Sequence, residues 1–314
     1  MTLSSQNRIR SARHVTFKLD WVMEEDGKIM LKEFLKERSI SKSALTDIKF
    51  KGGRITVNEV EQNVRYMVKR GDRISVLFPV EKPSEGLLPE EIPLNIIYED
   101  DYLLIVEKPS GMNTIPSREH PSGSLANAVF GYYVKKGIAA TTHIVTRLDR
   151  DTSGMVLIAK HRHVHHLLSE QQKARLVKRH YTALAEGLFS NKSGTINAPI
   201  GRCGDSIIKR EVREDGQTAI THYNVLTQLS DFAAVELSLE TGRTHQIRVH
   251  MSYISHPLIG DDLYGGSRHK LGRQALHCSR LAFIHPITQQ EMEFSVSLPE
   301  DMKRLFTLNN QAGT

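Results

Sequence analysis

The sequence contains little cysteine and no long apolar run. Its two cysteines, Cys203 and Cys278, lie far apart and lack the spacing of metal ligands, which argues against a disulfide framework or a zinc site. No segment approaches the roughly 18 consecutive apolar residues that a membrane helix requires, and the N-terminal stretch MTLSSQNRIRSARHVTFKLD has no apolar signal-peptide core. We therefore expect a cytoplasmic protein in a reducing compartment, neither secreted nor inserted in a membrane.

Internal repeats and low-complexity tracts are also absent from the sequence. The chain has 314 residues, of which 39% are hydrophobic and 25% charged, as in an ordinary globular protein with room for two domains. Its formal net charge is +6, and its pI is about 9.2. Because neutralising phosphates with Lys and Arg releases condensed counterions, this charge favours a polyanionic partner without identifying one.

Composition divides the chain into five segments. Residues 1–14 are polar and basic and predict a flexible N-terminus. Residues 15–80 predict a compact α+β domain, and residues 81–92, rich in Pro, Gly and Glu, predict a linker. Residues 93–305 predict a larger second domain, and residues 306–314 a C-terminal tail.

The first domain carries two predicted helices and a basic surface. Leu31, Phe34 and Leu35 share one face of the first helix, and Ser41 is a predicted N-cap of the second. Lys42 and Lys49 lie near one face of that second helix, and Lys51 and Arg54 follow in the adjoining turn and strand. On charge alone, an RNA-binding surface and an ordinary solvated helix face are equally supported.

The second domain is dominated by strand-like runs such as YLLIVEKP, MVLIAK, HYTALAEG and AAVELSLE. Helical patterns intervene, notably HVHHLLSEQQKA and HQIRVHMSYI. Because strand patterns follow one another directly, we expect an α+β fold with a mixed, mainly antiparallel sheet and helices packed outside it, and no regular βαβ winding.

The stretch TRLDRDTSGM contains the most informative acid of the chain. Asp149 lies between Arg147 and Arg150, and in an extended strand Arg147 and Asp149 would project to one face. A cation at that spacing lowers the pKa of a carboxyl and favours its ionised form. The following turn DTSG, with Gly154 free to take a positive φ, would place Asp149 at a strand end. From spacing alone, a structural ion pair remains the better interpretation than a nucleophile or general base.

Together with three further motifs, RLDRDTSGMVLIAK resembles the signature of the RluA-type family of RNA pseudouridine synthases. The further motifs are IIYEDDYLLIVEKPSGM, VKRHYTALAEG and LETGRTHQIRVHMSYISHPLIGDDLYGG, and ALHCSRLAFIHP resembles the family's closing element. Their order matches the family over residues 93–300. The resemblance implies that a uridine in RNA is converted to pseudouridine without a cofactor or metal: the bond from C1′ to N1 breaks, the uracil rotates, and it rejoins through C5.

The resemblance also implies roles for individual residues. Asp149 would be the catalytic residue, acting either as a nucleophile at C1′ or as the base that removes the 2′ proton. Arg243 would be the pocket cation that pairs with Asp149. Tyr181 would stack on the uracil and help to remove the C5 proton. Arg147 would support the flipped nucleotide, and Arg150 would contact the RNA.

The N-terminal domain resembles the S4 RNA-binding domain, and the match is looser than that of the second domain. Its basic surface, with Lys42, Lys49 and Arg54, would bind RNA, but Asp47 interrupts that surface. A second departure is Thr146, where many family members carry His. Strand alternation predicts that Thr146 faces away from Asp149. We therefore expect this departure to have little effect on catalysis.

The expected partner is RNA, most of all large-subunit ribosomal RNA, with transfer RNA as the alternative. We expect a monomer without an obligatory protein partner. A non-catalytic RNA-binding or ribosome-assembly factor and a glycosidic hydrolase remain rival hypotheses, although a hydrolase usually needs a second carboxylate and only Asp151 is close. The cluster HRHVHHLL, residues 161–168, is interpreted as a polar helix face that could turn to RNA, and not as a metal site.

Overall fold

The computed structural model describes residues 17–206 and 208–311. The expected flexible segment 1–14 and the last three residues of the expected tail lie outside these ranges. Within the described residues, no helix is both long and apolar enough to cross a membrane. The described chain forms two units, each with its own buried core.

The N-terminal unit combines six short strands with two helices. Its strands are β1 (Lys18–Val22), β2 (Lys28–Met30), β3 (Arg54–Val57), β4 (Val60–Glu61), β5 (Met67–Lys69) and β6 (Arg73–Leu77), and its helices are α1 (Leu31–Glu37) and α2 (Lys42–Phe50). Four of the strands form a sheet in the order β1-β6-β3-β4, and β2 pairs with β5 in a separate ribbon.

The two helices close the core of this unit as their sequence pattern predicts. Leu31, Phe34 and Leu35 of α1 are fully buried, and α2 contributes Ile48. The Ser41 hydroxyl accepts a hydrogen bond from the Ala44 N–H at 3.1 Å, which confirms the predicted N-cap and satisfies one free donor of the first turn.

The second unit is built on a ten-stranded sheet with helices around it. Its strands are β7 (Asn95–Glu99), β8 (Leu103–Lys108), β9 (His143–Ile144), β10 (Ser153–Ala159), β11 (Lys178–Glu186), β12 (Ser193–Asn197), β13 (Ile200–Arg202), β14 (Arg210–Val212), β15 (Ile220–Gln228), β16 (Phe232–Leu239), β17 (Leu276–Ile284) and β18 (Glu291–Ser295). Its helices are α3 (Leu125–Lys136), α4 (Arg162–Lys173), α5 (Gln246–Tyr253) and α6 (Glu300–Gln311), with a short 3-10 turn at Asp262–Tyr264. Helix α6 continues past residue 305, where the sequence suggested that the domain ends.

The sheet order is β12-β15-β16-β11-β17-β10-β8-β7, with β18 beside β17 and β9 beside β10, while β13 and β14 pair separately. All pairings in the large sheet are antiparallel except that of β10 with β17. The expected mixed, mainly antiparallel sheet with flanking helices is therefore confirmed. The parallel pairing brings the start of β10 next to the centre of the sheet, where the candidate site lies.

The segment between the two units packs along the second unit. The Leu88 carbonyl accepts a hydrogen bond from the Asn127 side chain at 2.9 Å. The Glu90 carboxylate accepts from the Gly123 N–H at 3.0 Å. The composition of residues 81–92 predicted a linker, but these contacts tie its backbone and side chains to helix α3.

An aromatic seam of four rings, Phe17, Phe78, His161 and His163, joins the two units. His161 stacks on Phe17 with ring centroids 4.0 Å apart, and His163 stacks on Phe78 at 5.3 Å. Both histidines are 5% exposed. Our interpretation of residues 161–168 as a polar helix face is therefore wrong for these two residues, because docking of the N-terminal unit covers the start of α4.

Two carboxylates from the other side of the seam meet the start of α4. Glu81 contacts His143 at 2.7 Å, His161 at 3.3 Å and the Arg162 guanidinium at 3.3 Å. Asp47 of α2 contacts the same guanidinium at 2.7 Å. Arg162 therefore links an acid of the N-terminal unit to an acid of the connecting segment.

Burial shifts the protonation of this cluster in a definite direction. Burial acts to raise the pKa of Glu81, but the hydrogen bond from His143 and the neighbouring imidazoles outweigh it and lower the pKa to about 2. Burial lowers the pKa of both His161 and His163 to about 4. Since the unfolded chain takes up protons on these histidines at higher pH than the folded chain, the fold loses stability as the pH falls from their ordinary value of 6.5 toward 4.

The contribution of Glu81 is testable with the substitution Glu81→Gln. We expect the free energy of unfolding near neutral pH to fall by roughly 2–3 kcal/mol, because Arg162 and the imidazoles lose their buried partner. The pKa of Glu81 is depressed on folding, so its contribution is complete above its ordinary value of 4.5 and is lost as the pH falls toward 2.

Urea unfolding at about pH 7 and about pH 3.5 measures both effects, since the difference between wild type and variant should shrink at the lower pH. Glu85→Gln, in the same segment and exposed, is the matched control. Equal stability of the two variants at neutral pH would contradict a structural role for Glu81.

Candidate active site

Asp149 lies in an irregular turn between strands β9 and β10. The expected strand through HIVTRLD covers only His143–Ile144, so the predicted strand alternation does not hold at Asp149. The hydroxyl of Thr146, which is 1% exposed, accepts a hydrogen bond from the Leu157 N–H of β10 at 2.9 Å. The Asp149 side chain, in contrast, is 29% exposed. In this turn the Asp149 carboxylate thus reaches the surface, while the neighbouring Leu148 and Thr146 side chains are buried.

Side chains from two other parts of the chain hold this turn. The Thr114 hydroxyl donates to the Leu148 carbonyl at 2.7 Å and accepts from the Leu148 N–H at 3.1 Å. From the other side, the Arg273 guanidinium donates to the Asp151 carbonyl at 3.2 Å. Within the turn, the Thr152 N–H donates to the Asp149 carbonyl at 3.1 Å. The backbone at Asp149 is therefore fixed on both flanks.

Lys108, at the end of β8, is a third support of the turn. Its ammonium donates to the carbonyls of Pro109 and Met112, both at 2.8 Å, and to the Arg150 carbonyl at 3.0 Å. The residue is fully buried. Burial lowers the pKa of Lys108 to about 7, against the opposing charges of Asp151 and Asp149. The loop of the KPSG motif and the Asp149 turn are thus joined through one amine.

The parallel pairing of β10 with β17 leaves no room for a side chain at Gly154. Its φ is +113°, and an added Cβ would lie 2.3 Å from the Cys278 carbonyl oxygen. Glycine is therefore required here both for the backbone angle and for the close approach of the strands. Through this contact, the Asp149 turn is placed beside Cys278 and its neighbour in the sheet, Tyr181.

Tyr181 lies on β11 and is 4% exposed. Its hydroxyl accepts a hydrogen bond from the Arg179 guanidinium at 3.3 Å, and the residue pairs with Cys278 of β17 in the sheet. Burial raises the pKa of Tyr181; the charge of Arg179 opposes this shift, and the charge of Asp149 adds to it. The strand register therefore places Tyr181 near the Asp149 turn, through Cys278 and Gly154.

The cation beside Asp149 is Arg248 of α5. Its Nη1 lies 3.4 Å from Asp149 Oδ2. Its Nε and Nη2 donate to the two oxygens of Asp261, each at 2.7 Å. Arg248 is 7% exposed and Asp261 1%. Burial acts to lower the pKa of Arg248, but the bonds to Asp261 outweigh it and raise the pKa, so the guanidinium remains charged.

His245 completes what we call the Asp149 pocket, formed by Asp149, Tyr181, His245 and Arg248. Its Nε2 lies 3.9 Å from Asp149 Oδ2, and its Nδ1 is 2.9 Å from the Tyr264 hydroxyl. Burial lowers the pKa of His245 despite the nearby Asp149 charge. Its φ is +58°, at the N-cap of α5, so a left-handed residue turns the imidazole toward the carboxylate.

The expected pair of Arg243 with Asp149 does not form. Arg243 is exposed, and its Nε donates to the Thr218 carbonyl at 3.0 Å. It precedes α5 in the turn, whereas Arg248, five residues later, lies on the buried face of the helix. The sequence did carry a signal for Arg248, because an arginine between apolar residues of a buried helix needs an acidic partner.

The other predicted RNA-contacting residues lie at the surface. Arg147 is exposed, and no hydrogen bond or ion pair joins its side chain to another described residue. Arg150 is exposed and paired with Asp151 through two bonds of 3.1 Å. Lys42, Lys49 and Arg54 are exposed on the N-terminal unit. The structure therefore brings Asp149 and Tyr181 together but leaves the other predicted residues outside direct contact with them.

Asp47, which interrupts the basic surface in the sequence, is neutralised in the structure. Its carboxylate contacts Lys51 and Arg162, each at 2.7 Å. Its negative charge is thus compensated, and it opposes an anionic ligand of Lys42 and Lys49 less than the sequence suggested.

The Asp149 pocket suits chemistry on a sugar carbon or a neighbouring proton. A partly exposed carboxylate, oriented by a fixed guanidinium, can attack an electrophilic carbon or accept a proton. A buried tyrosine beside it offers a flat ring for stacking and a hydroxyl for proton transfer. Among residues 17–206 and 208–311, no group of three or more His, Cys, Asp or Glu could hold a metal ion.

Comparison with known proteins agrees with this geometry. Residues 102–253 match the model of the family described as RNA pseudouridylate synthase. The protein named uncharacterized RNA pseudouridine synthase YjbO of Bacillus subtilis (strain 168) is 54% identical over 280 residues, which cover 89% of this chain and 99% of that protein. Ribosomal large subunit pseudouridine synthase D of Pseudomonas aeruginosa is 37% identical, with 83% of this chain and 85% of that protein covered.

Solved structures share the fold. The structure titled human RNA Pseudouridylate Synthase Domain Containing 4 aligns with a TM-score of 0.57 at 23% identity, and covers 69% of this chain and 93% of its own. Human RNA Pseudouridylate Synthase Domain Containing 1 aligns with a TM-score of 0.56 at 22% identity, over 73% of this chain and 98% of its own.

The support of the Asp149 turn by Lys108 is testable with Lys108→Met. We expect the free energy of unfolding to fall by roughly 2–4 kcal/mol, because three carbonyls around the turn lose their buried donor. Lys160→Met is the matched control: Lys160 is also buried, but its ammonium pairs with Glu99 at 2.7 Å, away from the turn.

Urea unfolding measures the loss of stability in the two variants, and amide hydrogen exchange shows which part of the chain is destabilised. Only Lys108→Met should accelerate exchange at the amides of residues 146–152. Unchanged exchange there, with the global stability reduced, would mean that Lys108 does not hold the turn.

Proposed function

Because this chain belongs to the RluA-type family of RNA pseudouridine synthases, we propose that it isomerises specific uridines of large-subunit ribosomal RNA, with Asp149 as the catalytic residue. The chain is an RNA-modifying isomerase, which converts uridine in RNA to pseudouridine. The observation that carries the role of Asp149 is its geometry: a partly exposed carboxylate 3.4 Å from a guanidinium that Asp261 holds in place.

Asp149 acts on the ribose of the target nucleotide. Either its carboxylate attacks C1′ as the bond to N1 breaks, or it removes the 2′ proton to give a glycal. Both routes require an ionised carboxylate; Arg248 faces it at 3.4 Å, and His245 lies 3.9 Å from the same oxygen. Arg248 thereby takes the role that the sequence assigned to Arg243.

Tyr181 acts on the uracil. Its ring supports the base by stacking while the base rotates, and its hydroxyl helps to remove the C5 proton after the new bond from C1′ to C5 forms. The contact of Tyr181 with β17 through Cys278, and its electrostatic interaction with Asp149, support this role.

Arg147 contacts the nucleotide as it leaves the stack. A base inside a helix must be extruded before the pocket can reach its ribose, at a cost of about a few kcal/mol. Arg147 is exposed and lies two residues before Asp149, so it is placed to support the flipped nucleotide, and Arg150 contacts the neighbouring RNA.

Large-subunit ribosomal RNA is the proposed substrate because several relatives carry the name ribosomal large subunit pseudouridine synthase D, with 35–38% identity to this chain. Transfer RNA is the alternative. We further propose that the protein works as a monomer in the cytoplasm and needs no protein partner.

The N-terminal unit, residues 15–80 in the proposed division, is an S4-like RNA-binding domain. Its exposed Lys42, Lys49 and Arg54 and the compensated charge of Asp47 support this proposal. Since the aromatic seam and Glu81 fix this unit to the catalytic unit, the two bind RNA in one orientation.

The role of Asp149 is tested by Asp149→Asn. Pseudouridine formation replaces the C5 hydrogen, so tritium at C5 is released to water. We expect wild type to release tritium from C5-labelled large-subunit ribosomal RNA, and Asp149→Asn to lose this activity by roughly a thousand-fold or more.

Asp151→Asn, two residues away, is the control and should stay near wild-type activity. A fully active Asp149→Asn would rule out the proposed mechanism. Tritium release from labelled transfer RNA and not from ribosomal RNA would make transfer RNA the substrate. Free uracil among the products would indicate hydrolysis of the glycosidic bond.

RNA binding by the N-terminal unit is tested by replacing Lys42, Lys49 and Arg54 with Gln. Each lost phosphate contact should lower the slope of log affinity against log salt by about 0.7 to 0.9, with the maximal rate unchanged, because these residues lie outside the Asp149 pocket. Filter binding to large-subunit ribosomal RNA at several salt concentrations measures the slope.

The matched control replaces Lys135, Lys173 and Lys303, three surface lysines of the second unit paired with carboxylates. An equal loss in both triple variants would mean that only the total charge matters. The proposed RNA surface would then be wrong.

A further inference from the structure

Arg179 is a half-buried arginine near the Asp149 pocket that has no acidic partner among the described residues. It lies on β11, two residues before Tyr181, and is half-buried. Its Nη1 donates to the Tyr181 hydroxyl at 3.3 Å. Among the described residues, no carboxylate lies within ion-pair distance of its guanidinium. Arg248, by comparison, makes two bonds to Asp261.

The Arg179 guanidinium lies next to the loop that leads to α5. An added Cβ at Gly242 would lie 3.0 Å from Arg179 Nη2, so the guanidinium lies close to this loop. It also donates to the Tyr181 hydroxyl. A guanidinium has five N–H donors. Because Arg179 has no acidic partner among the described residues, a structural ion pair does not explain why an arginine lies at this position.

The Tyr181 hydroxyl is bonded to one charged group, and the thiol of its neighbour in the sheet, Cys278, is neutral. The Cys278 thiol is fully buried, and burial raises its pKa to about 11, so it remains protonated and neutral. Arg179 is therefore the only cation bonded to this oxygen among the described residues. Negative charge on the oxygen would be stabilised by Arg179 and opposed by the charge of Asp149.

We propose that Arg179 is a positioning residue for the isomerisation, which holds the Tyr181 hydroxyl in place and stabilises its phenolate form while that oxygen accepts the C5 proton. This inference rests on the proposed role of Tyr181 in the pseudouridine synthase reaction. It adds a second charged pair to the site: Arg248 serves the carboxylate that acts on the ribose, and Arg179 serves the tyrosine that acts on the base.

Tyr181 first loses its proton to water. After C1′ has joined C5, the C5–H bond breaks, and the phenolate oxygen takes the proton. The electron pair of that bond forms the C5–C6 double bond, the pair of the N1–C6 double bond moves to N1, and N1 takes a proton from water. The tyrosine is thereby returned to its starting form.

A double-mutant cycle on Arg179 and Tyr181 tests the inference. In single turnovers with excess enzyme and a ribosomal RNA fragment that wild type modifies, we expect Arg179→Gln to lower the rate of product formation by about 10- to 100-fold. In the Tyr181→Phe background the same substitution should change the rate by less than about two-fold, because Arg179 acts through the missing hydroxyl. Arg179→Lys, which keeps the charge, should recover part of the rate.

Two further readouts separate this role from a structural one. With deuterium at C5, Arg179→Gln should show a larger isotope effect on product formation than wild type, because C5–H cleavage becomes slower relative to the other steps. The RNA concentration that gives half the maximal rate should stay within about two-fold of wild type, because Arg179 acts on the tyrosine and not on RNA binding. Arg280→Gln, an arginine of β17 paired with Glu236 at 2.8 Å, is the matched control and should change neither.

The outcomes are distinct. A rate loss of equal size in the wild-type and Tyr181→Phe backgrounds, with an unchanged isotope effect, would overturn the role of Arg179 and leave the isomerisation itself intact. If wild type released no tritium from C5-labelled RNA, the proposed function would fail, and this inference would fail with it.

Discussion

The buried guanidinium of Arg248 is the interaction on which the pocket depends. A charge inside a protein persists only when it is paired and hydrogen-bonded, and Asp261 satisfies this requirement with two bonds of 2.7 Å. The remaining nitrogen, Nη1, then faces Asp149 at 3.4 Å. Asp149 is thus oriented by a cation whose position is set by a different acid. It can therefore keep 29% of its side-chain surface exposed, which leaves the carboxylate free for a substrate.

The same physical rule determines how the two units meet. Glu81 is 9% exposed, and it is placed among His143, His161 and Arg162. Residues 81–92, whose composition is typical of a flexible linker, are therefore fixed at their first residue. Phe17, stacked on His161, and Phe78, stacked on His163, extend the contact between the two units. Interfaces between domains usually permit relative motion, but a buried carboxylate with several partners can separate from them only at a large cost in free energy. The basic surface of the N-terminal unit therefore keeps a defined orientation to the pocket.

Local chemistry made part of this structure predictable. The N-cap at Ser41, the buried face of α1 and the helix Gln246–Tyr253 follow from short-range patterns that the structure retains. The strand expected through Asp149 failed, because Thr114 and Lys108 hold that segment in an irregular turn through contacts distant in sequence. Arg248 and the buried histidines were missed for a similar reason. Their partners, Asp261 and the rings of the N-terminal unit, are identified only when the chain has folded.

The environments of three arginines around the site are more informative than their number. Arg248 is fully paired inside the protein, so its charge is used to hold an acid in place. Arg147 is exposed and has no described partner, as a residue that meets a mobile nucleotide would be. Arg179 is half-buried and bonded to a neutral hydroxyl. Keeping the Arg179 guanidinium charged without an acidic partner costs free energy. Such a charge stabilises a site best when negative charge develops next to it, as in the proposed proton transfer to Tyr181. The difference in pairing, which no single motif encodes, therefore distinguishes a fully paired, an exposed and a half-buried arginine around one carboxylate.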